Sequence, residues 1–437
     1  MSVETVRGAL EKALADQDGI LRLEPAWVAR DFVPPGRRFG LPGDAYDMGE
    51  RGFICERWLA STTRADNQIG PPDEGLSYIA LNGGARLSLR EAVQADPAGV
   101  MGAEYAASHQ GLGRLAKIFD YSARLPLHVH LRQEHAALVG RHSKDEAYYF
   151  PPGIGMGAHP ETFFGVHPWI SQTRSYDVLL PYIEAWDSDD ILKHTRGYQQ
   201  IPGEGFHVPS GVLHAPGTAV TIELQEDSDV LAMLQALNAG RIISKELLWK
   251  DVRRQDRDRY GERFILGLID WEQNGDPYFY ENHHLSPQLI QPSRQPGGEE
   301  HWIFYNTAKF SGKRLIVRAG ETYLSRDRGV YSLFVLEGVG RYGGVEVQAG
   351  VPGLDELLVI HDRATRDLPV HNTGVCDLVA VKFFGPDINP DVPFISPYPG
   401  GDDTKAAETR PGRPPPQAND YHYPNPGTSG AWFPDGG

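Results

Sequence analysis

Leu127-His128-Val129-His130, then Glu146, then Phe206-His-Val-Pro-Ser-Gly-Val-Leu-His214-Ala-Pro set three imidazoles and one carboxylate in a fixed order along the chain. His128 and His130 are two residues apart. Side chains alternate faces along a strand, so both rings point to the same side. Glu146 opens a second hydrophobic stretch, Ala147-Tyr-Tyr-Phe150. The Val-Pro-Ser-Gly turn delivers His214 onto a further strand. An isolated His-x-His carries little information, because many such pairs are surface residues of a strand. The complete order is specific. It predicts strands of one β-barrel closing on a single divalent transition metal, with His128, His130, Glu146 and His214 as ligands. Neutral imidazole with carboxylate suits Zn, Mn, Fe, Co or Ni and does not select among them.

These spacings resemble the two motifs of the cupin superfamily. The flanks carry a narrower resemblance, to type I mannose-6-phosphate isomerases. Ser143-Lys144-Asp-Glu146-Ala-Tyr-Tyr is similar to that family's Gly-Lys-x-Glu-x-Trp-Tyr, and Leu127-His-Val-His130 sits where it has Gln-x-His-Pro. The run from Phe206 to His214 resembles its Val-Pro-x-Gly-x-x-His-Ala. Glu223-Leu-Gln-Glu-Asp-Ser-Asp229 resembles its Glu-x-Gln-x-x-Ser-Asp. Upstream, Cys55-Glu-Arg-Trp58-Leu-Ala-Ser61 and Leu115-Ala-Lys117-Ile-Phe-Asp120 fall in the family's order. The resemblance implies a metal-dependent aldose–ketose isomerase acting on a sugar or sugar phosphate. It implies an all-β fold with helical insertions: tandem cupin jelly rolls, the first binding metal and the second degenerate.

Three departures bear on the substrate. His128 replaces the family's glutamine ligand, giving the three-His, one-Glu set of many other cupins, including isomerases of unphosphorylated sugars. Met233 stands where the family has an arginine. Pro216 stands where a tyrosine often follows the metal histidine. A hydrogen bond to a charged group is worth about 1.5–3 kcal/mol, or about 10–150-fold in rate if it is felt in the transition state. A thioether supplies none of it. Arg241 is the nearby cation in sequence that could substitute.

Aldose–ketose isomerisation needs a base to carry a proton between neighbouring carbons. Glu223 lies on the strand after His214 with the parity to reach the same interior, and is the candidate base. The competing reading is a structural carboxylate bonded to a loop or to Lys144. Lys144 shares the face of Glu146 and is the candidate to neutralise substrate charge; otherwise it is solvated surface. Lys117 is either a family position or a snorkelling barrel lysine. His135, His142, His159 and His167 are candidates for the pocket mouth, or exposed loop residues; His207 is a further candidate, or is packed beside Pro209. His371 lacks partners at ligand spacing and reads as structural. Gly153-Ile-Gly155 and Gly338-Val-Gly340 are turns outside any βαβ unit, so no dinucleotide site is expected.

The chain has 437 residues with 49 Gly and 34 Pro, which favours short strands and many turns. A net charge of -16 argues against nucleic-acid or anionic-membrane partners. Two cysteines, Cys55 and Cys376, suit reduced thiols better than a disulfide framework. The N-terminus lacks the apolar core of a signal peptide, and no stretch approaches the roughly 18 apolar residues of a membrane span. A cytoplasmic protein is expected. The expected organisation is an N-terminal helix (3–16) and extended arm over 1–37, and the metal-binding barrel over 38–240, with helical insertions at 87–109 and 175–194. A connector follows over 241–300, helical to 271 and then loop over 276–300. A second barrel without metal spans 301–387, covering one face of the first or building a homo-oligomer contact. A Pro/Gly-rich tail, with Trp432 and Phe433 docking, spans 388–437. Two other functional classes share this ligand set: cupin oxygenases or decarboxylases using redox-active Fe or Mn, and non-catalytic sugar-binding proteins.

Overall fold

The strands that carry the candidate site bury both their faces. In Thr221–Gln225, Glu223 lines a cavity while Ile222 and Leu224 join an apolar cluster on the other side. In Leu115–Phe119, Lys117 and Phe119 face the cavity and Ala116 and Ile118 face away. In Glu146–Tyr149, Glu146 and Tyr148 face it and Ala147 and Tyr149 do not. This is the two-residue alternation of a pleated strand, here with both surfaces out of water.

The computed structural model describes residues 2–395. Among them lie five antiparallel sheets with helical insertions, a cupin-like all-β architecture. A seven-stranded sheet runs His284–Leu285, Gly205–Val208, Glu146–Tyr149, Thr221–Gln225, Leu115–Phe119, Phe53–Leu59, Ala26–Arg30. It closes against a five-stranded sheet built from Thr195–Gln199, Glu161–Val166, His214–Ala215, His128–Val129 and Ala232–Met233. The second barrel pairs a nine-stranded sheet with a four-stranded one. The outward faces of the two large sheets pack on each other. Ala147, Ile222 and Leu224 from the first meet Phe334, Val381 and Phe383 from the second. Arg57 crosses this seam with two 2.7 Å hydrogen bonds to Asp355 and one of 2.9 Å to Glu356.

The two barrels repeat one register. In the first, Trp58 pairs with Lys117, and Lys117 with Glu223. In the second, Trp302 pairs with Lys313, and Lys313 with Lys382. Glu56 precedes Trp58 by two positions, as Glu300 precedes Trp302. The second barrel therefore keeps the strand plan but puts a lysine where the first has Glu223. Lys382 is fully buried. It donates to Glu300, and at 2.7 Å each to Ser325 and Asp327, while Lys313 donates to the other Asp327 oxygen at 2.7 Å. Removing one partner of such a network leaves an uncompensated buried charge. Lys382→Met is expected to cost about 3–5 kcal/mol, read as a lower denaturant midpoint. Adding Asp327→Asn should return part of it. A Lys382→Met protein as stable as the parent would contradict this account.

The helix Val3–Asp16 forms where the Val3, Val6, Leu10 and Leu14 spacing predicts it, with Ser2 as N-cap, and buries Val6, Leu10 and Ala13. Segment 87–109 is helical in three pieces, but it packs against the second barrel. The reason is strand pairing: Ile20–Glu24 bonds to Glu356–Val359 on one side and Tyr78–Ala80 on the other, which carries the insertion across. This differs from the expected grouping of 1–37 as an arm and of 87–109 with the first barrel. Residues 168–194 and 245–274 cover the outer face of the five-stranded sheet. The loop expected over 276–300 instead holds the helix Phe279–His283 and two short strands, because Phe279 and Leu285 find apolar partners in the barrels. Cys55 is buried and Cys376 exposed, both as free thiols. Among the described residues no helix is long and apolar enough to cross a membrane. The expected tail beyond residue 395, with Trp432 and Phe433, lies outside the described residues.

Candidate metal centre

His128 and His214 pair directly across the five-stranded sheet, and Met233 pairs with His128 on its other side. The turn before His214 is held by Gly211, at φ +86°, whose N–H donates to the His130 carbonyl at 2.8 Å. A side chain at Gly211 would meet Arg132 and Asp270 within 3.0 Å, so both the backbone angle and the space require glycine. The facing sheet contributes Glu146, Glu223, Lys117 and Glu56.

Each of the three rings is oriented from behind. Nδ1 of His128 lies 2.7 Å from the Pro126 carbonyl, Nδ1 of His130 2.8 Å from that of Val230, and Nδ1 of His214 2.8 Å from that of Val212. A carbonyl only accepts, so each Nδ1 carries the proton and each Nε2 presents a lone pair. The rings converge, with one candidate ligand atom of each within 4.8 Å of the others. Glu146 joins them: Oε2 lies 2.9 Å from His130 Nε2, and Oε1 lies 3.0 Å from His214 Nε2. At His214 this puts two acceptors face to face. The buried Nε2 of His214 has no hydrogen-bond partner, and Oε2 of Glu146 has none beyond its ion pair with Lys144 at 3.0 Å. Such contacts are repulsive unless a cation lies between them, and buried polar atoms without partners are rare. The donor set therefore fits a divalent transition metal.

Burial and the neighbouring histidines hold His128 well below its ordinary pKa, and burial with the Lys144 ammonium holds His130 at about 3. Both rings are thus in the neutral form that ligates metal. Burial would raise Glu146, but the Lys144 ammonium, 3.0 Å away, acting together with His130 and His214, outweighs it and keeps the carboxyl well below the usual carboxylate range. Lys144 also lies 2.9 Å from His130 Nε2.

Two further carboxylates in the cavity are driven apart. Glu223 is pushed up to about 7 by burial and by Glu146, against the pull of Lys117 and Lys144. Glu56 is buried too, but Arg30 and Lys117 overcome that and draw it down to about 2. Glu56 accepts from Arg30 twice (3.0 and 3.2 Å), from Tyr121 at 2.6 Å and from Trp58 at 2.8 Å. Its lone pairs are occupied, so it cannot take up a proton. Glu223 Oε1 has no hydrogen-bond partner and sits 3.2 Å from the Lys117 ammonium and 3.5 Å from that of Lys144. One environment makes a fixed anion and the other a group able to exchange a proton.

The structure brings His128, His130, Glu146, Glu223, Lys144 and Lys117 to one cavity, and His214 meets them through Glu146 without lining the cavity itself. His135, His142, His159, His167, His207 and His371 do not line it. His142 faces Asp227 at 2.9 Å and His159 faces Glu161 at 3.3 Å. His371 lies 3.0 Å from Thr322 on the second barrel. Arg241 is exposed, on a hairpin with Leu237–Asn238, and does not reach the cavity. Sequence reasoning assigned no role to Arg30, Glu56, Tyr148 or Asp229, which do line it. Glu56 and Asp229 sat inside matched segments, and Tyr148 has the parity of Glu146, so alternation could have found those three. Arg30 carried no signal of its own. Tyr148 donates its hydroxyl to Glu146.

No protein-family model matches the chain. A 118-residue segment, 26% of this chain, is 30% identical to the mannose-6-phosphate isomerase ManA of Bacillus subtilis (strain 168). That match spans about a third (34%) of the relative's length. Among solved structures the chain resembles the mannose 6-phosphate isomerase of Bacillus subtilis, with TM-score 0.54 and 17% identity, over 83% of this chain and 99% of that one. A variant of the phosphomannose isomerase from Salmonella typhimurium matches with TM-score 0.55 and 12% identity, over 84% and 100%. A zinc-bound mannose 6-phosphate isomerase matches with TM-score 0.54 and 13% identity, over 84% and 100%. At such identities the likeness establishes a shared fold.

Proposed function

We propose that the protein is a metal-dependent aldose–ketose isomerase acting on a sugar or sugar derivative, with His128, His130, Glu146 and His214 holding one divalent transition metal. The observation that carries this reading is the set of three Nδ1–H···O=C bonds that turn three lone pairs and a carboxylate toward one point. The resemblance to mannose-6-phosphate isomerases supplies the reaction class. When bound, the metal would serve as a Lewis acid toward neighbouring oxygens of an open-chain sugar. Glu223 takes the proton from the carbon beside the carbonyl and returns it to the adjacent carbon, while the hydroxyl proton passes between the two oxygens. Its raised pKa keeps it near balance between the two forms at neutral pH, which suits a group that must both accept and donate. Lys117 and Lys144, flanking Glu223, offset negative charge developing on the sugar oxygens. Apolar Leu125, Pro126, Leu231 and Met233 form the wall on the His128 side and exclude water there.

The substrate we favour carries no phosphate. Among the described residues, every cation lining the cavity already faces a carboxylate: Arg30 faces Glu56, Lys117 faces Glu223, and Lys144 faces Glu146. Met233 is buried beside His128, where it offers an anion nothing. Metal-reconstituted protein should therefore turn over an unphosphorylated aldose or ketose with higher kcat/KM than mannose 6-phosphate. Met233→Arg should move that preference toward the phosphate ester, by up to about 10–150-fold. Efficient isomerisation of mannose 6-phosphate by the unmodified protein, unchanged by Met233→Arg, would reverse the substrate assignment. Failure to isomerise any of a panel of aldoses, ketoses and their phosphates would refute the reaction class.

A further inference from the structure

The second barrel sends one cation into the outer layer of the metal centre. Lys309 lies in the connection between Gly298–Phe304 and Ser311–Val317 of that barrel. Its ammonium donates to Asp145 Oδ1 at 2.9 Å, to Glu226 Oε2 at 3.0 Å and to Ser143 Oγ at 3.2 Å. All three acceptors belong to the first barrel. Ser143 and Asp145 flank Lys144 and precede Glu146, while Glu226 directly follows the strand of Glu223.

These groups also bind one another. Glu226 Oε2 accepts from the Asp145 N–H at 2.8 Å and from the Ser143 hydroxyl at 2.9 Å. Asp145 Oδ1 accepts the Ser210 N–H at 2.9 Å, in the turn that leads to His214. Three segments bearing candidate site residues, 143–146, 208–214 and 223–226, therefore meet at one pair of carboxylates. Two carboxylate oxygens that share a single ammonium lie close together, and without a cation they repel. Strands of the first barrel are paired at this point, with Val208 and Gln225 both opposite Glu146. Repulsion between Asp145 and Glu226 would thus act on the positions of Glu146 and Lys144.

We propose that Lys309 is a positioning residue for the metal centre, and that the second barrel completes the first rather than only covering it. This rests on the metal-ligand reading above and is independent of which sugar is the substrate. The side chain is 38% exposed, so its loss should cost the fold little. The test compares full-length wild type with Lys309→Ala and Lys309→Arg. It measures Zn²⁺ affinity by chelator competition, and thermal unfolding of the metal-free forms. Lys309→Ala is expected to weaken Zn²⁺ binding by about 10-fold with the metal-free midpoint unchanged. Lys309→Arg, which can still bridge two carboxylates, should restore most of the affinity. Unaltered Zn²⁺ affinity in Lys309→Ala would overturn the proposal. So would a loss of affinity that follows a lower metal-free midpoint and is not restored by arginine. A wild-type protein that takes up no metal would overturn the underlying ligand assignment as well, whereas inactivity on sugars with normal metal uptake would overturn only the reaction class.

Discussion

Replacing His130 and His214 together by alanine is expected to take the purified protein from about one transition-metal ion per chain to almost none, and to abolish isomerase turnover. Each ring is supported by a single carbonyl bond behind it and makes its remaining interactions toward the shared centre. With both gone, Glu146 is left with Tyr148 and Lys144, and a carboxylate with one imidazole is a poor site for Zn or its neighbours. The fold should survive. The apolar cluster of the barrel interior, with Phe150, Phe164, Phe206 and Val208, is built from side chains other than the two rings removed and keeps its packing. Elemental analysis of the double variant, with its unfolding midpoint, separates the two effects. Full metal occupancy in a folded double variant would sink the ligand assignment.

Glu223→Gln should lower kcat by about 10²–10⁴-fold, the range for loss of a positioned proton-transfer group. Glutamine matches glutamate in shape and still turns a carbonyl oxygen toward Lys117 and Lys144, but it takes up no proton. Metal content should stay near the wild-type level, because Glu223 is not among the four ligands. A structural carboxylate would behave differently: its amide would change stability and leave turnover within a few fold of wild type. Glu56→Gln is the control from the same cavity. Glu56 is pinned by four hydrogen bonds and held as an anion, so its substitution should lower the unfolding midpoint.

The contrast between Glu223 and Glu56 shows how one cavity separates two chemically identical groups. Both are buried and both sit near Lys117. Glu56 has a guanidinium in bidentate contact, while Glu223 has a second carboxylate, Glu146, beside it. Partner geometry, more than burial, sets which one holds its charge.

The second barrel carries this logic further. The paired positions Lys117–Glu223 and Lys313–Lys382 occupy matching register. In the first barrel the acid faces a candidate metal centre. In the second, Lys382 extends its own ammonium into a nest of Glu300, Ser325 and Asp327. Fixed protein charge stands there where the first barrel presents ligands, and it accounts for a strand plan kept without His-x-His.

Much of the candidate site was legible along the chain because strand geometry is local. A two-residue period puts His128 with His130, Lys144 with Glu146, and Glu223 toward the interior, whatever lies elsewhere. The turn ending at Gly211 is likewise a matter of a few backbone angles. Other features depended on partners hundreds of residues away. Ile20–Glu24 pairs with Glu356–Val359, and nothing in either segment names the other. Arg30 reaches the cavity only because its strand closes the seven-stranded sheet, and Lys309 reaches Asp145 only because two sheets stack back to back. Arg241, closer in sequence to the missing arginine than either, points into solvent. Local backbone preferences are written in neighbouring residues. Which charges meet through space follows from which apolar faces bury each other, and that is settled only when the whole chain is folded.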